Sequence, residues 1–383
     1  MKRKEIQIDN MLLFTIFCFI IFSLVVVYSG SGQYQTHDPF YFVKRQVIWY
    51  IIGIGVMAGV AYFDFELLEK LAAPLYVTGV VLLTLVHFFG TFKNGSQRWI
   101  NLGFFELQPS EFMKVFIIIY IAVLVNKFGQ KPLSFKGSIP ITIRVVLFTI
   151  IPFYLILVQP DLGSALVIAA IAFTIILVSG ISFKMIGLLA SGFTVIIAFL
   201  VYLHNHFFEI FIKIIKPHQL ERIYGWLSPD DFASTYGYQL TQAIRGIGAG
   251  QMKGSGFNLG PQVQSGRIPE AHTDFIFSVV GEEFGFIGAA VLISLYFILI
   301  YRIIIIALNS NNVFGCYICA GVIGLISFQV FQNISMTIGL MPITGIPLPF
   351  VSYGGSSLLT NMMALGLVIS VNIRSKKYMF SDD

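Results

Sequence analysis

Charge is what this chain has least of. Of 383 residues only 11% are Asp, Glu, Lys or Arg, against 56% hydrophobic. A soluble domain carries about a quarter charged residues, so a water-exposed globular fold is excluded. The net charge of +5 is small, and the basic residues gather at span ends and loops. That placement suits lipid headgroups and anionic substrates and argues against a nucleic-acid face. Cysteine is scarce too: Cys18, Cys316 and Cys319 all lie in apolar runs, so no disulfide framework exists. Cys316-x-x-Cys319 has neither a partner pair nor an aqueous setting, and reads as core. No small-residue cleavage site follows the first apolar stretch, so Met1-Lys2-Arg3-Lys4 and the run behind it read as an uncleaved first span with its basic end in the cytoplasm.

Long apolar runs dominate the remainder. Ten stretches approach the roughly 20 residues that a bilayer core requires: 11–28, 47–63, 71–90, 112–127, 140–158, 163–180, 184–203, 275–301, 313–339 and 358–373. The expected fold is therefore all-α, a single integral membrane domain over 1–383 with ten transmembrane helices. Both termini are cytoplasmic, and a large extracellular loop, 204–274, joins spans 7 and 8. Arg374, Lys376 and Lys377 just after the last span agree with that orientation. His204 to Leu220 interleaves apolar residues with Lys213 and Lys216, the pattern of an amphipathic helix in the membrane interface. Gly246 to Gly260 is glycine-rich and reads as mobile.

The connections on the expected outer side are irregular. Residues 93–111 carry the turn signal Asn94-Gly95 and the interfacial aromatics Trp99, Phe104 and Phe105. Gln108-Pro109-Ser110 is echoed by Gln159-Pro160-Asp161, and both place Gln-Pro where a helix must begin or break. Residues 341–357 hold three prolines and three glycines. Non-helical backbone at that depth is tolerated only if buried in protein or lining a wet cavity.

Ionisable groups at membrane depth mark candidate sites. The densest set is Glu270, His272 and Asp274, followed by Glu282-Glu283. Asp274 has two readings: a helix N-cap, or a general base tuned by desolvation. Glu111 and Lys114 share one helical face, as a structural ion pair or as a substrate-positioning pair. Arg98 and Arg245 could hold phosphates, and Asp161 a metal or an amide. At least one of Glu282 and Glu283 is expected to bond another helix. Gly246-Ile247-Gly248-Ala249-Gly250 lacks the βαβ context of a dinucleotide site, and His204-x-His206 reads as amphipathic rather than metal-binding.

Five motifs in order resemble the SEDS family (shape, elongation, division and sporulation) over essentially the whole chain: NGSQRWINLG at 94–103, QPSEFMK at 108–114, QPDLGSAL at 159–166, PEAHTDFIFSVVGEE at 269–283 and PLPFVSYGGSS at 347–357. Residues 332–346 look like the elongation branch, RodA-like, rather than the division branch, FtsW-like. The resemblance implies a ten-span peptidoglycan glycosyltransferase in the bacterial cytoplasmic membrane that polymerises lipid II on the outer face. It also implies a class B penicillin-binding protein as transpeptidase partner. Asp274 would be its catalytic aspartate, with Glu111, Lys114 and Asp161 as sensitive site residues. No tightly bound cofactor is expected, although a divalent cation such as Mg would suit the pyrophosphate. A lipid II flippase and a non-catalytic scaffold for the transpeptidase are the rival readings.

Overall fold

A computed structural model describes residues 9–34, 38–93, 96–101, 103, 106–128, 133–215, 217–232 and 236–378. The Met1–Lys4 cations, the Asn94-Gly95 turn, Phe104-Phe105 and Lys216 lie outside these residues. The fold is nearly all helical, 76% helix. The helices are α1 (Asn10–Gly30), α2 (Tyr41–Tyr62), α3 (Leu68–Phe89), α4 (Pro109–Asn126), α5 (Phe135–Val158), α6 (Leu162–Val178), α7 (Phe183–His206), α8 (Phe208–Ile214), α9 (Pro217–Leu227), α10 (Tyr236–Gly250), α11 (Pro261–Gln264), α12 (Ile276–Leu308), α13 (Val313–Thr337) and α14 (Gly355–Tyr378).

Each expected span has a helix. Nine are long and apolar enough to cross a membrane among the described residues, and α6 is a shorter apolar helix of 17 residues. α4, α13 and α14 form the buried centre, whereas α7 is almost wholly exposed along its length. α4 packs on α3, α6, α13 and α14, and α14 also packs on α2.

The all-α expectation needs one correction. Between α3 and α4 lie three short strands, β1 (Thr91–Lys93), β2 (Ser96–Asn101) and β3 (Glu106–Leu107), paired antiparallel in that order. Part of the backbone of this connection, between Gly90 and Pro109, satisfies itself by strand pairing.

Two loop expectations also change. The 204–220 stretch is not one helix: α7 runs on to His206, and separate helices α8 and α9 follow. His204 is used locally, its Nε2 2.7 Å from the Tyr224 hydroxyl. The glycine-rich stretch is packed rather than free. α10 lies against α12, and the turn after it is bonded into a break in α12. At Gly285 the φ/ψ pair is 61°, −159°, and the ladder is interrupted. The Phe286 and Ile287 N–H groups donate to the carbonyls of Gln251 and Met252 at 2.8 and 3.2 Å, while Ser255 and Gly256 N–H donate to Glu282 and Glu283 carbonyls at 2.9 and 3.1 Å. The loop replaces the bonds that the break removes.

Residues 341–354 are non-helical and buried or half-buried, as expected, whereas 355–357 instead open α14, and Ile338 and Leu340, which precede the segment, are exposed. Side chains from surrounding helices bond the carbonyls of 338–354: Tyr296 to Pro349 at 2.5 Å, Tyr50 to Phe350, Ser23 to Val351 at 2.8 Å and Trp226 to Gly339 at 2.8 Å. Asn333 Nδ2 donates to both Ile346 O, at 2.8 Å, and Asp274 O, at 2.7 Å. Asn333→Leu removes both bonds and leaves two inner carbonyls unpaired. It is expected to cost about 1–3 kcal/mol, seen as a lower thermal unfolding midpoint of purified protein in detergent. An unchanged midpoint would refute this role.

Candidate active site

At the end of the bundle that carries the strands, α10 and the 338–354 segment, a cavity of about 960 Å³ opens. Arg45 and Trp49 of α2, Arg98 and Trp99 of β2, Glu111 of α4, Asp161, Glu270, His272, Asp274 and the 345–347 backbone line it. A volume of this order suits a large polar head group. The two Gln-Pro motifs meet here. Pro109 opens α4, and the Gln108 side chain before it donates to Asp161 Oδ2 at 3.1 Å.

Asp161 caps α6, accepting the Ser164 N–H at 3.1 Å, and pairs with Arg98 at 3.3 Å. Burial works to raise its pKa, but Arg98, the Ser164 N–H and Lys114 outweigh that, so the carboxyl lies below its ordinary value. Arg98 also lies over the Trp99 ring, 4.6 Å from its centroid. Asp161 is thus an anionic clamp that fixes Arg98 and Gln108 at the cavity wall.

Glu111 and Lys114 form the expected pair on α4, one helical turn apart and bonded at 2.6 Å, with 2% and 0% exposure. Glu111 reaches the cavity and its Oε2 has no hydrogen-bond partner among the described residues. Lys114 stands behind it as the compensating charge.

Asp274 precedes α12 but does not cap it: Phe275 is the N-cap and no side chain bonds there. Its main-chain carbonyl is held by Asn333, while its carboxylate faces the cavity. Burial first, then the charges of Glu270 and Asp161, push its pKa up to about 6 against the pull of Arg98 and Arg222. That is the condition of a carboxylate poised to take a proton near neutrality.

Arg245 does not join the set; it is exposed on α10 and does not line the cavity. The cation from this region that faces Asp274 is Arg222 of α9, whose Nη1 donates to Thr344 O at 3.1 Å and whose guanidinium lies 5.1 Å from the Tyr236 ring. Sequence spacing does not find Arg222, because α9 reaches the site only through the packing of the loop helices. Arg45 was likewise unmarked.

Glu270 and His272 shape the loop. The Glu270 carbonyl, at φ 53°, accepts the N–H groups of Thr273 and Phe275 at 3.1 and 3.2 Å, and its Oε2 accepts Thr273 Oγ1 at 2.9 Å. His272 is buried among Tyr34, Phe42 and Tyr353, with ring centroids 4.7, 4.6 and 5.5 Å away. Burial lowers its pKa to about 4 despite Glu270, so it is neutral at physiological pH. Glu282 accepts the N–H groups of Gln262 and Val263 at 2.7 and 2.9 Å, and Glu283 accepts Ser29 Oγ of α1 at 2.5 Å. The two acids are loop and helix ties, as the sequence led one to expect for at least one of them.

Lys114→Met would strand the Glu111 charge in the bundle. A loss of about 3–5 kcal/mol is expected, with most of it recovered in the Glu111→Gln/Lys114→Met double variant. Thermal unfolding of the three proteins checks this; additive losses would contradict it.

The profile of the FtsW/RodA/SpoVE cell cycle protein family matches residues 9–377. The probable peptidoglycan glycosyltransferase FtsW of Trichlorobacter lovleyi is 37% identical over 96% of this chain and 93% of its own. The peptidoglycan glycosyltransferase MrdB of Escherichia coli K12 is 32% identical over 97% and 95%. Among solved structures, a chain of a peptidoglycan synthase complex, studied for the coordination of polymerisation and crosslinking, superposes with a TM-score of 0.78 at 28% identity, covering 98% of this chain and 99% of that one. The crystal structure of the rod shape determining protein RodA of Thermus thermophilus gives 0.66 at 27% identity, covering 95% and 96%. With the whole fold and nearly the whole sequence matched, the chain belongs to the FtsW/RodA/SpoVE family of membrane-embedded cell cycle proteins.

Proposed function

We propose that this chain is a peptidoglycan glycosyltransferase that joins lipid II units into glycan strands, with Asp274 as general base. The observation that carries the reading is the Asp274 carboxylate. It faces a cavity of about 960 Å³, accepts no hydrogen bond among the described residues, and has a pKa raised to about 6. The relatives named as peptidoglycan glycosyltransferases, and the likeness to a chain of a peptidoglycan synthase complex, support the activity.

The reaction joins a sugar 4-hydroxyl to an anomeric carbon that carries a lipid pyrophosphate. An α-linked donor and a β-linked product call for a single inverting displacement. Asp274 accepts the hydroxyl proton as the oxygen attacks, and the pyrophosphate departs with the bonding electron pair. The leaving group needs charge stabilisation, not a protonating acid. Arg98, held by Asp161, and Arg45 supply positive charge at the cavity wall. Glu111, braced by Lys114, is placed to accept from sugar or amide groups. Among the described residues no group of three or more His, Cys, Asp or Glu is arranged to hold a metal ion by itself; a divalent cation carried by the pyrophosphate would need only one or two carboxylates from the protein.

In this reading α6 completes ten crossings, the cavity opens on the outer face, both termini are cytoplasmic and 204–274 is the large outer loop of a single membrane domain. A class B transpeptidase would be the partner that crosslinks the product. The elongation role rests on the 332–346 pattern; depletion would then give rounded cells, and filaments would assign the chain to division instead.

The test is detergent-solubilised protein incubated with lipid II. The wild type is expected to make glycan polymer, which a flippase or a scaffold would not do. Asp274→Asn should lose polymerisation by at least about a hundredfold while keeping its thermal stability and lipid II binding; polymer from that variant would remove Asp274 as the base. The pH profile provides a second check. A base with pKa about 6 is charged and competent above that value. The rate should therefore be level above it and fall about tenfold per pH unit well below it. A rate that rises as pH falls through 6 would exclude the assignment.

A further inference from the structure

The glycine-rich turn between α10 and α11 combines two properties that do not belong together in water. Its apolar side chains point outward: Met252 is 60% exposed, Phe257 47% and Leu259 68%. Most of its backbone donors, those of Gln251, Gly254, Ser255, Gly256, Asn258 and Leu259, are nevertheless taken up by protein. Gly254 N–H bonds Gly250 O at 2.7 Å, Ser255 and Gly256 bond carbonyls of α12, and Leu259 bonds Gly256 O at 3.1 Å. Asn258 N–H bonds Glu283 Oε2 at 3.1 Å. An outward apolar face on a backbone satisfied mostly from within suits a lipid-exposed segment.

Depth along α12 places the turn. The turn is bonded into the break at Gly285. Gly285 precedes the last residue of α12, Leu308, by 23 residues, or about 35 Å of helix at the usual rise. The hydrocarbon core is about 30 Å thick, so the turn sits at its edge. Below it α12 continues the same apolar exterior with Phe286, Ile287, Val291 and Phe297, all at least half exposed. Lys253 is exposed on the same turn, within reach of headgroup phosphates.

We propose that residues 251–259 form a re-entrant wedge seated among lipid acyl chains at the membrane edge, with Met252, Phe257 and Leu259 as its lipid contacts and Lys253 at the phosphate level. The occupant of this face is lipid, because exposed apolar side chains continue from the turn onto the spanning face of α12. The wedge is tied to the site loop. Glu282 and Glu283 hold residues 258, 262 and 263, and the chain then runs on to Asp274.

The test uses full-length protein in phosphatidylglycerol/phosphatidylethanolamine proteoliposomes, with the three cysteines replaced by alanine. Nitroxides are placed singly at positions 252, 257 and 259, with Phe297 as the lipid reference and exposed Asp230 as the aqueous one. Collision with oxygen should exceed collision with a water-soluble nickel chelate at all three wedge positions, as at Phe297. Preferential collision with the nickel chelate, as at Asp230, would overturn the proposal, and so would protection from both reagents, which would mean that protein covers the face. If the cysteine-free chain does not fold, Leu259→Trp in the native background serves. Doxyl-labelled lipid should quench its added fluorescence several-fold more than that of Trp49, Trp99 and Trp226 in the parent; equal quenching would sink the idea.

Discussion

Backbone polar groups buried away from water must find partners, and the site end of this molecule is built around that constraint. The 338–354 segment abandons helix in the middle of a helical bundle. Its carbonyls are then taken one by one by Ser23, Tyr50, Tyr296, Asn333, Arg222 and Trp226, side chains from five different helices. Because Asn333 also holds the Asp274 carbonyl, the same accounting that makes the loop affordable fixes the aspartate against it. Ser352 adds a further tie, accepting Leu348 N–H at 2.8 Å and donating to Thr273 O at 2.6 Å.

The same rule explains the break in α12. A helix interrupted at Gly285 exposes orphan donors on one side and orphan acceptors on the other, and the 251–256 turn meets both. Glycine is required where the two backbones touch. A Cβ on Gly254 would collide with the Phe284 N at 2.6 Å, and its φ is 81°. Below the turn, the acid pair Glu282-Glu283 spends its charge on loop N–H groups and on α1. Two carboxylates that look catalytic by position therefore serve as anchors.

Charge in the cavity follows a related logic. Among the described residues the deeply buried Glu111 and Asp161 each have a basic partner, Lys114 and Arg98. Asp274 alone of the predicted acids faces the cavity without a hydrogen-bonded partner for its carboxylate among the described residues. That contrast separates two of the acids: Arg98 holds the Asp161 carboxyl below its ordinary value, whereas burial makes Asp274 hold its proton more tightly.

How much of this was legible in the chain depends on whether the signal is local. Helix existence is local: an apolar run near 20 residues has few alternatives in a bilayer, and all ten runs are helices with ends displaced by at most seven residues. The Glu111–Lys114 pair is local too, because one helical turn brings them together, and the irregular course of 341–354 followed from its prolines and glycines. The composition, the spans and the five motifs thus determined the class of molecule and marked Arg98, Glu111, Asp161 and Asp274, which meet at the cavity. Only the tertiary structure decided the rest, because it depends on which distant segments meet. Gln108 reaches Asp161 across two helices, and Arg222 rather than Arg245 faces Asp274 because of how α9 packs. Glu282 and Glu283 became anchors because a turn happens to fill the gap beside them. The choice between a helix cap and an unpaired acid at Asp274 likewise rested on Phe275 taking the cap position and on Asn333 holding the main chain from another helix. One-dimensional spacing carries no information about either.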